Sequence, residues 1–174
     1  MGLRWLIIIL LLVTASTYAQ AQITEIMFNP EGSDSGREWV EFYTNKPTNI
    51  STWKFYEAGT NHGLNLIQGS LLINGYAVIV NNEENFLEDY PHYNGTLIDS
   101  SFSLKNSGEF LALKNSSGII DSINYSFAED LSDFSLEKIN LNLDGEDNWD
   151  SSIDNGGTPG EQNSLFGSCD WSLK

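Results

Sequence analysis

The sequence predicts an all-β chain, folded as an antiparallel sandwich or barrel. Three observations predict it. After the first twenty or so residues the apolar runs are short and are cut by Gly, Asn, Asp and Ser. Alternation with a period of two recurs, as where Ile119, Asp121, Ile123 and Tyr125 interleave with Ile120, Ser122 and Asn124. No segment sustains a helical period.

Residues 1–21 read as a secretory signal. Arg4 gives a thin positive start, and residues 5–13 are unbroken apolar. Ala19-Gln20-Ala21 and Thr17-Tyr18-Ala19 each offer a small-x-small cleavage site. The alternative is a retained membrane anchor, although the apolar run falls short of the ~20 residues that a bilayer requires. No later segment is apolar enough to span a membrane. The expected sandwich covers residues 22–164.

Residues 22–28 form the first expected strand, and Asn29-Pro30 ends it because proline has no ladder donor. Residues 37–44 form a second strand. Val40 and Phe42 lie on one face and Trp39, Glu41 and Tyr43 on the other, so apolar groups on both faces predict a central strand. A third strand is expected over 50–56. Asn74-Gly75 reads as a turn, and 76–80 as a strand buried on both faces. Residues 81–90, polar but for Phe86, Leu87 and Tyr90, predict the one short helix. Strands 109–114 and 118–125 flank Asn115-Ser116-Ser117-Gly118 as a hairpin. A further strand covers 135–139, and 144–157 is expected to be a polar loop holding Trp149. In the last ten residues, 165–174, Cys169, Trp171 and Leu173 alternate with polar residues. Two readings stand: a tail packed on the sandwich, or the start of a truncated following domain.

Composition excludes several functions. The formal net charge is −16, with 8 Lys+Arg against 24 Asp+Glu. Such a surface repels phosphate backbones, so direct nucleic-acid binding is not expected. A single cysteine, Cys169, allows no internal disulfide and no thiolate cluster. Two histidines, His62 and His92, and the absence of a nucleophile elbow leave the roles of a hydrolase unfilled. No catalytic residue is assigned.

Three weaker site signals remain. Asp144, Asp147 and Asp150, within the run 144–150, could supply oxygens to calcium, but Trp149 stands where a calcium loop of the helix–loop–helix type needs glycine. A solvated acidic loop is the plainer reading. No other cofactor is expected. Asn49, Asn94, Asn115 and Asn124 begin Asn-x-Ser/Thr sequons, with Asn115 at the hairpin turn expected to be the most accessible. Four sequons barely exceed the roughly three that the Asn and Ser/Thr content produces by chance. Trp53, Phe55, Tyr56, Tyr90 and Tyr93 are candidates for a carbohydrate platform, against the commoner role of aromatics as core.

An ordered set of short motifs then carries a resemblance. It begins with Glu25, Ile26 and Asn29-Pro30, followed by Glu38-Trp39-Val40-Glu41 and Ile50-Ser51-Thr52-Trp53. It continues with Ser107-Gly108-Glu109, Gly118-Ile119-Ile120-Asp121 and Ser135-Leu136-Glu137-Lys138, and closes with Asn148-Trp149 and Gly157-Thr158-Pro159-Gly160-x-x-Asn163. In order and spacing the set resembles the lamin-tail domain family, over about residues 23–163. Lys138 stands where the family has arginine, and Asn74-Gly75 where Pro-Gly is more common. The resemblance implies an immunoglobulin-like β-sandwich with no catalytic residues. The large apolar area of Trp39, Trp53 and Trp149 predicts that all three are core residues. The resemblance also implies a module that binds or tethers a protein or a cell-surface polymer, and the expected signal places that module in the secreted or cell-surface space. The rival functions are an accessory domain of an extracellular hydrolase and a calcium- or carbohydrate-binding module.

Overall fold

The computed structural model describes residues 20–126 and 131–166. Residues 1–19 of the expected signal 1–21, and the alternating stretch at Cys169, Trp171 and Leu173, lie outside them. The described chain is an immunoglobulin-like β-sandwich of two antiparallel-rich sheets. The first five strands are β1 (Gln22–Met27), β2 (Trp39–Asn49), β3 (Lys54–Glu57), β4 (Thr60–His62) and β5 (Asn65–Gln68). Then come β6 (Leu72–Val80), the helix α1 (Glu83–Asp89), β7 (Thr96–Asp99), β8 (Glu109–Asn115) and β9 (Gly118–Tyr125). β10 (Phe134–Lys138) and β11 (Trp149–Asn155) complete the set. The larger sheet runs β11-β10-β1-β2-β6-β7-β5, and the smaller runs β4-β3-β8-β9.

β2 is the middle strand of the larger sheet, as its two apolar faces require. Val40 and Phe42 enter the core between the sheets, with Ile23, Ile26, Phe55, Leu111 and Leu113. Trp39 faces the other way. It joins Met27, Val78, Val80, Phe86 and Leu97 in a second core under α1. The run in β6 splits in the same manner: Ala77 and Ile79 enter one core, Val78 and Val80 the other. Burying both faces of one strand is what an unbroken apolar run is for. Phe28 stacks on Tyr125 of β9 at 5.2 Å and so ties the two sheets together.

α1 begins where Asn82 Oδ1 accepts from Asn85 N at 2.9 Å, an N-cap supported by Glu83 and Glu84 in the first turn. It crosses from β6 to β7, which pair parallel, the one exception to the antiparallel pattern among the described residues. A parallel neighbour needs such a crossover.

Several boundaries differ from the sequence reading. The third strand starts at Lys54, not residue 50. Trp53 N instead donates to Ile50 O at 2.9 Å in a turn, fixed by Asn49 Oδ1 accepting from Ser51 N. Asn74-Gly75 is not a turn before a strand. It lies inside β6, where Gly75, at φ 119°, faces Thr44 beside a register shift. That shift takes up Pro47 within β2. The region 144–157 is not all loop: Trp149–Asn155 pairs with β10 as an edge strand despite its polar sequence. Among the described residues no helix is long and apolar enough to cross a membrane.

Candidate functional site

Three glutamates share the outer face of the larger sheet. Glu25 on β1 pairs in register with Glu41 on β2 and with Glu137 on β10. All three have no exposed surface. The segment that seals them is 157–165, which crosses the sheet as a strap. Thr158 N donates to Glu25 Oε1 at 2.7 Å, and Gly160 N to Glu41 Oε2 at 2.6 Å. Leu165 N and Ser164 Oγ donate to Glu137 Oε2 at 2.9 and 2.8 Å. From the sheet itself, Ser135 Oγ donates to Glu25 Oε1 at 2.5 Å and Thr24 Oγ1 to Glu41 Oε1 at 2.7 Å. Asn163 Nδ2 donates to Thr24 O at 2.7 Å and to Lys138 O at 3.0 Å.

The glycines of the strap follow from this geometry. Gly157 has φ +75°, and a Cβ there would press on Glu25 Oε1 and come within 2.6 Å of Ser135 Oγ. Only a residue without a side chain lets the backbone lie that close. Burial pushes the Glu25 carboxyl up to about 7, against the hydrogen bonds from Ser135 and Thr158, with the charge of Glu137 adding to the rise. Burial, then the charge of Glu25, holds Glu41 well above the usual carboxylate range. A sealed cluster of this kind can hold protons and fix backbone. It presents no atom to a solvent-borne substrate.

Beside the strap lies an open groove of about 870 Å³ between the loop after β1, α1 and the turn after β11. Met27, Tyr90, Gly156 and Gly157 contribute to its lining, and Glu31, Asp89 and Asp133 supply negative charge. Arg37 also lines it, but its guanidinium is taken by Glu88 at 3.0 Å and by Asp89. Tyr90 OH donates to Gly156 O at 2.6 Å and accepts from Trp39 Nε1 at 3.2 Å, linking groove to second core.

A third acidic group lies at one end of the sandwich. Glu38 accepts from Leu104 N at 3.0 Å and from Asn81 Nδ2 at 2.8 Å, and burial pushes its carboxyl up to about 7. His62 Nε2 lies 3.2 Å from Glu57 Oε2.

The structure sorts the residues singled out in the sequence. Asp144, Asp147 and Asp150 are exposed, and Asp144 Oδ1 lies 3.7 Å from Lys138 Nζ. Among the described residues no three His, Cys, Asp or Glu side chains come together as a metal-ligand set. Asn148 organises that loop instead, donating to Asn140 O and Leu143 O at 2.8 and 2.7 Å. Of the sequon asparagines, Asn49, Asn94 and Asn124 are exposed. Asn115 is half-buried, because its Oδ1 turns back to accept from Ser117 N, so it is not the most accessible of the four. The aromatic platform does not assemble. Trp53 and Phe55 are buried in the main core, Tyr56 pairs with Phe110 on the smaller sheet, and Tyr93 OH donates to Thr96 O beside the second core. Trp39 and Trp53 are core residues, whereas Trp149 is half-buried against the core.

Sequence reasoning used Glu25, Glu41 and Glu137 only as marks of a resemblance and missed that they meet. The available signal was an acidic residue repeated on the outward positions of three strands, each followed or preceded by apolar residues. No protein-family model, curated protein or solved structure matches the chain.

Proposed function

We propose that the chain is an exported, non-catalytic binding or tethering module of the lamin-tail type, acting outside the cell or at its surface. One observation carries the reading. The scattered motifs that suggest the family — Glu25, Glu41, Glu137, Thr158, Gly160 and Asn163 — converge in a single buried network. Convergence of residues from β1, β2, β10 and the strap is what a shared fold signature requires. Those residues hold the strap, and recognition is left to the surface beside it.

The groove along Glu31, Asp89 and Asp133 is the surface that suits a partner, since it is concave, acidic and open. A protein segment or surface polymer carrying positive charge complements it. Export is supported by the apolar residues 5–13 and the small-x-small pairs after them. Ala21 is buried in the main core, which favours cleavage after Ala19 over cleavage after Ala21.

The test uses fluorescently labelled protein on washed cells of the producing strain. Wild-type protein is retained at low salt, and a Glu31→Lys, Ser33→Lys variant, altered at two exposed groove positions, is retained less. Absence of retention by wild type overturns the tethering role. Equal retention of both proteins overturns the groove as its site. N-terminal sequencing of secreted protein checks the cleavage position.

A further inference from the structure

We infer that the strap 157–165 is a proton-dependent latch, closed over the sheet while Glu25 holds a proton and loosened when that proton leaves. The geometry requires the proton. Thr158 Oγ1 lies 3.0 Å from Glu25 Oε2 and 3.2 Å from Glu137 Oε1. A hydroxyl has one hydrogen, so it can donate to only one of these oxygens. Both contacts are hydrogen bonds when a carboxyl supplies the second hydrogen. The two carboxyls have matching donor sets: Ser135 Oγ and Thr158 N donate to Glu25 Oε1, Ser164 Oγ and Leu165 N to Glu137 Oε2, and the remaining oxygen of each faces Thr158 Oγ1. Burial, which pushes Glu25 up to about 7, puts the shared proton on Glu25. The chain of protons is therefore Glu25 Oε2–H to Thr158 Oγ1, and Thr158 Oγ1–H to Glu137 Oε1.

Loss of the proton leaves charged groups that the site cannot balance. Glu41 lies on the adjacent strand, and Asp150 on β11 pairs in register with Glu137. Strap residue Glu161 is exposed. The other titratable groups near the cluster are tyrosines: Tyr43 and Tyr76 on the sheet, and Tyr90 and Tyr93 after α1. Burial, then the Glu41 carboxylate, pushes Tyr76 up to about 12, so it stays neutral near pH 7, and a phenol has no positive form to balance the carboxylates. Lys138, the nearest cation along β10, donates to Gln22 Oε1 at 2.9 Å instead. An unprotonated Glu25 faces Glu137 across Thr158 in a water-poor site, beside a Glu41 that burial also holds well above the usual carboxylate range, and the strap that excludes the water gives way.

The sign follows from linkage. In the closed state the Glu25 carboxyl sits at about 7, against 4.5 when hydrated. Closure is fully favoured below about 4.5 and is lost as pH rises through about 7. That shift corresponds to an opening constant greater by on the order of a hundredfold at mildly alkaline than at acidic pH. Gly156 and Gly157 also wall the groove, so opening would reshape it; that link alone rests on the groove reading.

Amide hydrogen exchange on the full chain tests the latch without any ligand. Protection of Thr158, Gly160 and Leu165, corrected for intrinsic rates, is compared between about pH 5 and about pH 8. The amides of the β8–β9 hairpin serve as the reference. In wild type, strap protection drops by at least about tenfold more than the reference. In Glu25→Gln, whose amide N–H replaces the Oε2 proton, strap protection stays level with the reference. Strap protection that follows the hairpin in wild type overturns the latch, as does a full wild-type response in Glu25→Gln. Should that variant not fold, carbon-13 titration of the wild-type Glu25 carboxyl decides: a midpoint in the ordinary glutamate range refutes the proposal, and one near neutrality upholds it.

Discussion

Removing the Asn163 side chain gives a direct measure of how firmly the strap is held. Its Nδ2 satisfies two buried carbonyls on neighbouring strands, Thr24 O at 2.7 Å and Lys138 O at 3.0 Å. In Asn163→Ala both carbonyls lose their donor in a site from which the strap excludes water. Each loss costs about 1–1.5 kcal/mol, and the exposed cost of a buried acceptor adds to it. Against this, the variant removes Oδ1, a buried oxygen with no hydrogen-bond partner among the described residues, and so recovers part of its desolvation cost. The net expectation is a destabilisation of about 2–3 kcal/mol. For a domain of this size that lowers the melting temperature by roughly 4–12 °C. The assay is urea denaturation followed by tryptophan fluorescence, with Gln162→Ala, an exposed strap neighbour, as control. The control should stay within about 0.5 kcal/mol of wild type. If Asn163→Ala also stays within that margin, the two carbonyls find water, and the strap is not the sealed lid that the hydrogen bonds imply.

Other outcomes follow from the same geometry. Gly157→Ala should cost at least about 2 kcal/mol, since it forces a side chain into positive φ and against Glu25 and Ser135; a neutral result in thermal melts would place the strap farther from the sheet. Global stability should fall as pH rises from about 4.5 through about 7, because Glu25 and Glu38 bind protons more tightly folded than unfolded. Glu25 contributes at most about 3 kcal/mol and Glu38 less, since solvent screens it, and Glu38→Gln should flatten part of the slope in denaturation series; a slope of opposite sign refutes both assignments. Phe28→Ala should cost about 3–5 kcal/mol by emptying the contact between the sheets at Tyr125, as read from the denaturation midpoint. Chelator should leave the melting temperature unchanged, since Asn148 already fixes the 144–150 loop; a drop would mean that the loop holds calcium.

What was legible in the sequence depended on the range of the forces involved. β2 and β6 announce themselves because each buries side chains on two faces, and that pattern is local. The Asn115–Gly118 hairpin is equally local. β5 and β7 are four residues each and take their structure from pairing rather than propensity. β11 is hidden by its polar sequence, since an edge strand can be solvated on one side. The glutamate cluster was the least legible part. A glutamate on an outward strand position ordinarily marks a solvated face, and nothing near Glu25 tells that a segment 133 residues later will cover it. The acidic run at 144–150 carried two readings in the sequence, calcium ligands and, more plainly, a solvated loop; its aspartates are exposed around a loop that Asn148 organises.

The strap also bears on when the domain can form. β1 is the first strand of the sandwich, yet it lies between β2 and β10, and its outer face is closed only by residues 157–165. Contacts across so long a loop are made late and slow the overall rate. Until they are made, three glutamates on adjacent strands need water, and the sheet cannot commit to a dry outer face. A chain that ends before Gly157 therefore lacks both the donors and the cover. The fold carries its own check on completeness: the outer face of its first described strand is covered by residues that follow the last described one.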